Sequence, residues 1–294
     1  MKNSFSNNIN VVAVVGPTAS GKTAFSIELA QRIGGEIVSA DSRLVYKGFN
    51  IGTAKPSKKE MKGIPHYMID IVEPEFDYSA ALYVDEAKKI INDIFNRGKV
   101  PIVVGGTGLY VDVLLKGYNL PRIEADRSLR EELGRKTTEE LRNILIKSDA
   151  SAADVIDPND RKKIIRAIEV VTISGRSLDD IRSINGSDYN VEWIGKNLPR
   201  SVLYERIEKR VDLMLEEGLL EETKSLLSKH GRVPNLINTI GYKEMISYLD
   251  GINSFEDAVS LLKRNTRRYA KRQLTWFRRN ESIKWDVYPE TLGK

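Results

Sequence analysis

Eight consecutive residues near the amino terminus have the types and spacing of a phosphate-binding loop. They are Gly16, Pro17, Thr18, Ala19, Ser20, Gly21, Lys22 and Thr23, and they satisfy the pattern G-x-x-x-x-G-K-[ST]. Glycines in such a loop let backbone N–H groups face a chain of phosphates, the lysine adds positive charge, and the final hydroxyl can bind Mg²⁺. The motif predicts a polyphosphate site with Thr23 as a metal ligand, and it does not specify ATP.

The sequence contains only a weak signal for the aspartate that an ATPase places beside this loop. That aspartate should end an apolar strand, and the two candidates are Asp41, after residues 36–40, and Asp70, after a shorter run. Neither run has four apolar residues. A later apolar run, 100–104, leads into a glycine-rich segment that carries the hydroxyl of Thr107 in place of a carboxylate. These features argue against an ordinary ATPase.

Alternating strands and helices are predicted to position these residues. Short β-branched runs predict strands, and amphipathic stretches predict helices. The predicted strands are 11–15, 36–39, 100–104 and 191–198, and the first predicted helices are 23–32 and 80–96. Such alternation implies a parallel sheet with ligands at the carboxyl ends of its strands. The predicted fold class is therefore α/β, a P-loop NTPase-like parallel sheet flanked by helices.

The strand pattern stops in the middle of the chain. Helices are predicted there at 128–134, 138–147 and 158–174, the last with Asp157 as its N-cap and Pro158 at its first position. Further helices are predicted at 202–218, 219–230 and 255–279. The predicted organisation is a P-loop α/β core formed by residues 1–120 and 187–294, with C-terminal helices, and an α-helical insertion domain at 121–186.

Composition limits the class of protein. The chain has 294 residues, which is enough for a real core, and it has no cysteine, which excludes disulfides, thiolate metal sites and thiol nucleophiles. No apolar run is long enough to span a bilayer. We therefore expect a cytoplasmic protein with no membrane partner, and a monomer.

A long basic segment near the carboxyl terminus suggests a polyanionic partner. Residues 263–279 carry eight lysines and arginines and no acidic residue, whereas a solvated helix face normally mixes signs. The net charge of +5 agrees with such a partner. Phosphate contact along one side of this helix is the prediction, and a basic surface without a partner is the alternative.

Several segments, taken together, resemble the tRNA dimethylallyltransferase family. They include SADSRLVYKG at 39–48 and GGTGLY at 105–110. The others are 16–23, 50–56, 66–70, 157–160, 203–214 and 269–278, so that the resemblance covers about residues 11 to 280. It implies that the P-loop holds the pyrophosphate of dimethylallyl pyrophosphate, and that an adenosine of the tRNA anticodon loop turns out into a channel.

The resemblance also assigns roles by motif position. Asp41 would be the general base, Thr107 would assist at the adenine amine, and Arg210 would meet the pyrophosphate. The positions that would contact tRNA are Asp41, Ser42, Arg43, Leu44, Thr107, Arg130, Lys162, Lys163, Ile164, Ile165 and Arg166, joined by Arg267, Arg268, Lys271 and Arg272 of the basic segment. Lys162 and Lys163 depart from the Gln-Arg pair that is common in the family.

The residues leave other functions open. An adenylate isopentenyltransferase uses the same donor on AMP, ADP or ATP, but needs neither a helical insertion nor a basic helix. A small P-loop kinase and an RNA-binding protein with a nucleotide switch are further alternatives. Asp41 could be a magnesium ligand or a helix cap instead of a base. The expected partners are dimethylallyl pyrophosphate and the tRNA anticodon stem-loop, and the expected cofactor is Mg²⁺.

Overall fold

A computed structural model describes residues 9–121, 123, 125–181 and 186–287. The chain divides into two compact units, one formed by Met1–Leu115 and Asp188–Lys294 and the other by Lys116–Ser187. The second unit corresponds to the predicted insertion, although it starts at Lys116 instead of residue 121.

A parallel sheet forms the centre of the first unit. Within the described residues its strands are β1 (Ile9–Val15), β2 (Gly35–Ser39), β3 (His66–Tyr67), β4 (Val100–Gly105), β5 (Tyr189–Asn197) and β6 (Lys284–Val287). They lie in the order β3-β2-β4-β1-β5-β6, and every pairing is parallel. Val12 of β1 pairs with Ile102 of β4, and both are buried because helices cover the sheet. The predicted α/β fold class is confirmed.

The first two helices of this unit lie close to their predicted positions, and the helix that follows them was not predicted. They are α1 (Lys22–Ile33), α2 (Ala80–Asn96) and α3 (Gly108–Lys116). Ile27 and Ala30 of α1 pack with Val14 and Ile37 of the sheet in one buried cluster. This packing holds the start of α1 close to the end of β1, so that residues 16–21 form the short loop between them that a phosphate site needs.

The second unit is helical in the residues described. Its helices are α4 (Arg127–Gly134), α5 (Thr138–Ser148), α6 (Ala150–Val155), α7 (Arg161–Ser174) and α8 (Leu178–Ile181). The predicted start of α7 is wrong. Asp160 is the N-cap and accepts a hydrogen bond from the Lys163 N–H at 3.2 Å, whereas Asp157 accepts from the Asn159 N–H in the preceding turn. Two nearby aspartates offered the same capping signal, and Pro158 favoured the wrong one.

A buried carboxylate holds two helices of this unit together. Glu169 of α7 is 0% exposed and accepts hydrogen bonds from the Arg130 guanidinium of α4 at 2.8 and 2.9 Å. Arg166 and the Asp126 N–H also donate to it. A buried charge is tolerated when it is paired and fully hydrogen-bonded, and Glu169 meets both conditions.

The rest of the chain returns to the first unit as helices and one edge strand. The helices are α9 (Arg200–Glu216), α10 (Leu219–His230), α11 (Pro234–Ile237), α12 (Tyr242–Leu249) and α13 (Phe255–Phe277). Ala270 of α13 is buried with Leu203 and Ile207 of α9. The predicted helix at 255–279 ends two residues early, at Phe277. In the described part of the chain, no helix is long and apolar enough to cross a bilayer.

Candidate active site

Three neighbouring strands deliver the predicted catalytic groups to one edge of the sheet. The phosphate loop follows β1, Asp41 follows β2, and Thr107 follows β4. A cavity of about 1000 Å³ opens at this edge, within the first unit. Its lining includes the loop from Thr18 to Thr23, Asp41 to Leu44, Gly106, Arg210 and residues of α13. Parallel α/β sheets bind ligands at this position, at the carboxyl ends of the strands.

The backbone of the phosphate loop is shaped by two glycines. Gly16 has a φ of 147°, and a Cβ there would lie 2.1 Å from the Lys196 carbonyl oxygen of β5. Gly21 adopts a left-handed conformation, φ 86°, immediately before α1. The Lys22 ammonium folds back and donates to the Pro17 carbonyl at 2.5 Å. The loop therefore has the strand, turn and helix arrangement that presents N–H groups to an anion.

Two basic side chains, Lys22 and Arg210, lie together at this loop. Burial, and next the neighbouring charge of Arg210, lower the pKa of Lys22 to about 7, while the carboxylate of Asp41 acts in the opposite direction. Burial also lowers the pKa of Arg210, again opposed by Asp41. Both side chains are thus in surroundings that disfavour their positive charge. A bound polyanion would relieve this, so the electrostatics favour a phosphate ligand.

Arg210 reaches the loop from α9. One guanidinium nitrogen, Nη1, donates to the Thr18 hydroxyl at 3.3 Å, and Nη2 donates to the Ala54 carbonyl at 3.4 Å. The arginine is therefore brought to the phosphate loop from 192 residues away in the sequence. Arg210 is thus placed to contact an anion bound by this loop.

The segment that carries Asp41 is tied to the segment that carries Thr107. Asp41 Oδ1 accepts the Arg43 N–H at 2.8 Å, and Thr107 Oγ1 accepts the Ser42 N–H at 3.0 Å. The Thr107 N–H donates to the Ala40 carbonyl at 3.2 Å. Asp41 lines the cavity, whereas Thr107 lies one residue beyond Gly106 of the lining. The structure thus brings the carboxylate and the hydroxyl to one side of the cavity.

Tyr269 and Gln273 of α13 belong to this site, and neither was predicted as a site residue. Both line the cavity. Burial, and next the charge of Asp41, raise the pKa of Tyr269 to about 12, while a bond with Thr107 acts in the opposite direction. Gln273 bonds to the phosphate loop and to Gly106. The sequence signal for both was their place in the segment 269–278.

A second loop beside the cavity is held by Glu222 of α10. Its carboxylate accepts the N–H groups of Ile51 and Gly52 at 2.9 and 3.0 Å, and the Tyr242 hydroxyl donates to it at 2.7 Å. Gly52 packs so closely on the Tyr242 ring that a Cβ would lie 2.6 Å from it. These contacts position Ala54, whose carbonyl receives Arg210. Glu222 is a further residue that sequence reasoning missed.

The family of this chain follows from its similarity to known proteins. A family model described as IPP transferase matches residues 44–280. This chain belongs to the IPP transferase family. A second model, described as isopentenyl transferase, matches residues 9–76, which include the phosphate loop and Asp41.

Curated members of the IPP transferase family align along nearly the whole chain. A tRNA dimethylallyltransferase from Pelotomaculum thermopropionicum is 45% identical over 282 residues, which are 94% of this chain and 90% of the relative. One from Bacillus subtilis is 44% identical over 286 residues, covering 95% and 91%. The resemblance inferred from the motifs is confirmed.

Solved structures agree with these relatives. A tRNA isopentenylpyrophosphate transferase from Bacillus halodurans has a TM-score of 0.72 and 45% identity, covering 95% of this chain and 89% of its own. A eukaryotic dimethylallyltransferase captured acting on tRNA has a TM-score of 0.83 and 30% identity, covering 95% and 74%. These likenesses favour a tRNA-directed transferase over an adenylate transferase or a small kinase.

The basic helix α13 of this family member has two different sides. Arg268 and Arg272 line the cavity, and Lys271 is exposed. Arg267 instead donates to Glu208 of α9 at 2.6 Å, and Lys263 pairs in the same way with Asp212. The charge repulsion expected along the helix is therefore partly offset inside the protein. Arg268, Lys271 and Arg272 remain the predicted phosphate contacts, whereas Arg267 already has a partner.

The predicted tRNA contacts in the second unit also differ from one another. Lys162 and Lys163 are exposed, and Arg130 and Arg166 are committed to Glu169. The side chain of Ile164 is 1% exposed and belongs to the core of this unit, so its prediction as a tRNA-contacting side chain is wrong. Ile165 is partly buried against the same core. An apolar residue at this helical position serves packing.

The residues present fit a magnesium ion that is shared with a phosphate ligand. Thr23 lies at the cavity with an exposed side chain, and Asp41 and Glu60 are carboxylates of the same lining. Among the residues the structure describes, a group of three acidic or histidine ligands occurs instead at Glu73, Glu75 and His230. Mg²⁺ commonly binds through one or two protein oxygens and completes its shell with phosphate and water. The donor set is of that kind.

Proposed function

We propose that this chain transfers a dimethylallyl group from dimethylallyl pyrophosphate to the exocyclic amine of the adenosine 3′-adjacent to the anticodon in tRNA, releasing pyrophosphate. The observation that carries the proposal is the cavity itself, which has Lys22 and Arg210 at the phosphate loop after β1 and the carboxylate of Asp41 after β2. Membership of the IPP transferase family, with relatives named tRNA dimethylallyltransferase, supports the choice of donor and acceptor.

The phosphate loop and Arg210 would bind the leaving group. The carbon–oxygen bond of the donor breaks as the new carbon–nitrogen bond forms, so negative charge grows on the departing pyrophosphate. Lys22 and Arg210 are both held where an anion would favour their charged forms. Groups placed in advance around developing charge stabilise the transition state more than the ground state. This contribution needs no covalent enzyme intermediate.

Asp41 would remove the proton that the amine loses. An adenine amine is a poor nucleophile because its lone pair is delocalised into the ring. The Arg43 N–H holds one oxygen of Asp41 at 2.8 Å, which fixes the carboxylate at the cavity wall. Thr107, bonded to the neighbouring Ser42, would orient the amine. A positioned general base of this kind contributes about 10²- to 10⁴-fold.

Mg²⁺, when bound, would neutralise charge on the pyrophosphate oxygens, and Thr23 with the cavity carboxylates would hold it. Arg268 and Arg272 lie at the cavity wall on α13, where they would meet phosphates of the RNA. Lys271 extends that surface outside the cavity. The exposed Lys162 and Lys163 give the second unit a basic surface of its own.

The proposal is tested by incubating the protein with dimethylallyl pyrophosphate, Mg²⁺ and an unmodified anticodon stem-loop. We expect pyrophosphate release together with a mass gain of one prenyl group on the RNA. AMP offered in place of the RNA should remain unmodified, and ATP offered in place of the donor should transfer no phosphate. Prenylation of AMP with no reaction on the stem-loop would contradict the proposal in favour of an adenylate isopentenyltransferase.

A further inference from the structure

One buried side chain hydrogen-bonds to both loops of the active site. Gln273 of α13 is 6% exposed. Its Oε1 accepts the Thr18 N–H of the phosphate loop at 2.8 Å, and its Nε2 donates to the Gly106 carbonyl after β4 at 3.0 Å. The amide of one residue therefore links the end of β1 to the end of β4.

Both partners are adjacent to groups of the proposed reaction. The Thr18 hydroxyl receives Arg210, so Thr18 is held by Gln273 through its N–H and by Arg210 through its side chain. Gly106 precedes Thr107, whose hydroxyl accepts the Ser42 N–H next to Asp41. These hydrogen bonds, joined by the backbone of Thr18 and of Gly106–Thr107, thus connect the pyrophosphate side of the cavity through Gln273 to the acceptor side.

The fit around this amide is close. A Cβ on Gly106 would lie 2.1 Å from Gln273 Nε2, so a side chain at that position would displace the amide. The neighbouring Gly108 is equally close to Trp276 of the same helix, where a Cβ would lie 2.3 Å from the indole ring. Such contact leaves the loop after β4 little freedom to move independently of α13.

We propose that Gln273 is a positioning residue that sets the distance between the donor-binding loop and the acceptor-binding loop. The inference rests on the proposed function, because the two loops have these roles only in a prenyl transfer to RNA. Arg272, next to Gln273 in sequence, lines the cavity as a predicted RNA contact. RNA bound along α13 would therefore contact the same helix that holds the phosphate loop through Gln273.

The chemistry of the amide makes the role testable. Gln273→Met keeps the size of the side chain but leaves the Thr18 N–H and the Gly106 carbonyl without their partner. Gln273→Glu keeps the acceptor for Thr18, and its carboxylate repels the Gly106 carbonyl until it is protonated. Burial raises the pKa of an introduced carboxyl, which brings this protonation toward neutral pH. Gln31→Met, at an exposed position on α1, is the matched control.

The experiment measures single-turnover prenyl transfer to the stem-loop at saturating substrates. We expect Gln273→Met to slow the reaction by about 10- to 100-fold, the effect of unpairing buried polar groups, while Gln31→Met stays near wild type. The rate of Gln273→Glu, divided by that of wild type, should rise when the pH falls from about 8 to about 6. The protonated carboxyl then has an O–H that can donate to the Gly106 carbonyl.

The outcomes separate this inference from the function on which it rests. A wild type that transfers no prenyl group overturns the proposed function and the inference with it. A wild-type rate in folded Gln273→Met overturns the inference alone. Should Gln273→Met fail to fold by circular dichroism, Gln273→Glu decides: a rate ratio that does not change with pH would show that the two hydrogen bonds do not set the reaction rate.

Discussion

Among single residues, Asp41 is the one on which the proposed reaction depends most. Asp41→Asn retains an oxygen that can accept the Arg43 N–H, so the loop should keep its shape. The amide cannot take up a proton, and kcat should fall by about 10²- to 10⁴-fold. Steady-state kinetics with the stem-loop measure this. If the substitution lowers only the affinity for Mg²⁺ and leaves kcat unchanged, Asp41 is a metal ligand and not a base.

The lowered pKa of Lys22 predicts proton uptake when pyrophosphate binds. In the free protein this pKa is about 7, so above that pH the amine is largely neutral. A bound pyrophosphate raises the pKa of Lys22, so the wild-type protein should take up as much as about one proton when it binds pyrophosphate at about pH 8. The Lys22→Arg variant should take up fewer protons, because its guanidinium is already charged before binding. At about pH 6 both proteins carry the charge before binding, and the difference should vanish.

Calorimetry in two buffers with different ionisation enthalpies measures this uptake. Comparing the two proteins cancels protons that belong to pyrophosphate itself. Equal proton uptake by wild type and Lys22→Arg at the higher pH would show that Lys22 is already charged in the free protein, or that it does not contact the ligand.

At the scale of elements, α13 should bind RNA through one side only. Neutralising Arg268 and Arg272 should weaken binding and flatten log K against log salt by about 1.5 units, at roughly 0.7 to 0.9 per phosphate contact. Neutralising Lys263 and Arg267 is the matched control, because these two are paired with Asp212 and Glu208 of α9. Binding titrations at several salt concentrations provide the slopes. Equal slope changes in both variants would contradict this division of the helix.

The sequence was most informative where the signal is local. Helices α2 and α10 begin and end as predicted, at Ala80–Asn96 and Leu219–His230. The strand β3 has two residues, too few for any periodicity, and was missed, as was the edge strand β6. Gln273 was missed as a site residue because its partners are 255 and 167 residues away in sequence. Such contacts depend on how α13 packs against the loops, which no local pattern encodes.

At the scale of the whole molecule, the two compact units should respond separately to substitution. Glu169→Gln removes the buried charge that Arg130 and Arg166 share. Both arginines are more than a third exposed and stay hydrated, so the loss in the free energy of unfolding should be about 1–3 kcal/mol, below that of a fully buried pair. Hydrogen exchange should speed up in Lys116–Ser187 and not in β1 or β4.

The pH dependence of this loss follows from the pKa of Glu169. Burial raises that pKa, but bonds from Arg130, Arg166 and the Asp126 N–H outweigh burial and leave it below its usual 4.5. The stabilisation is therefore present above about pH 4.5 and is lost as the pH falls through the lowered pKa of the folded state. Denaturant titrations of wild type and Glu169→Gln should converge in acid. A stability difference that grows toward acid would contradict this origin.

The claim that unites the site is the attack of an adenine amine on a prenyl group held by the phosphate loop. Its most direct test is fragmentation mass spectrometry of two anticodon stem-loops after incubation with protein, Mg²⁺ and dimethylallyl pyrophosphate. One carries adenosine 3′-adjacent to the anticodon, and the other carries purine riboside, which lacks the exocyclic amine. We predict one added prenyl group on that adenosine and none on the second RNA. A prenyl group on both RNAs, on another nucleotide, or on neither would contradict the account.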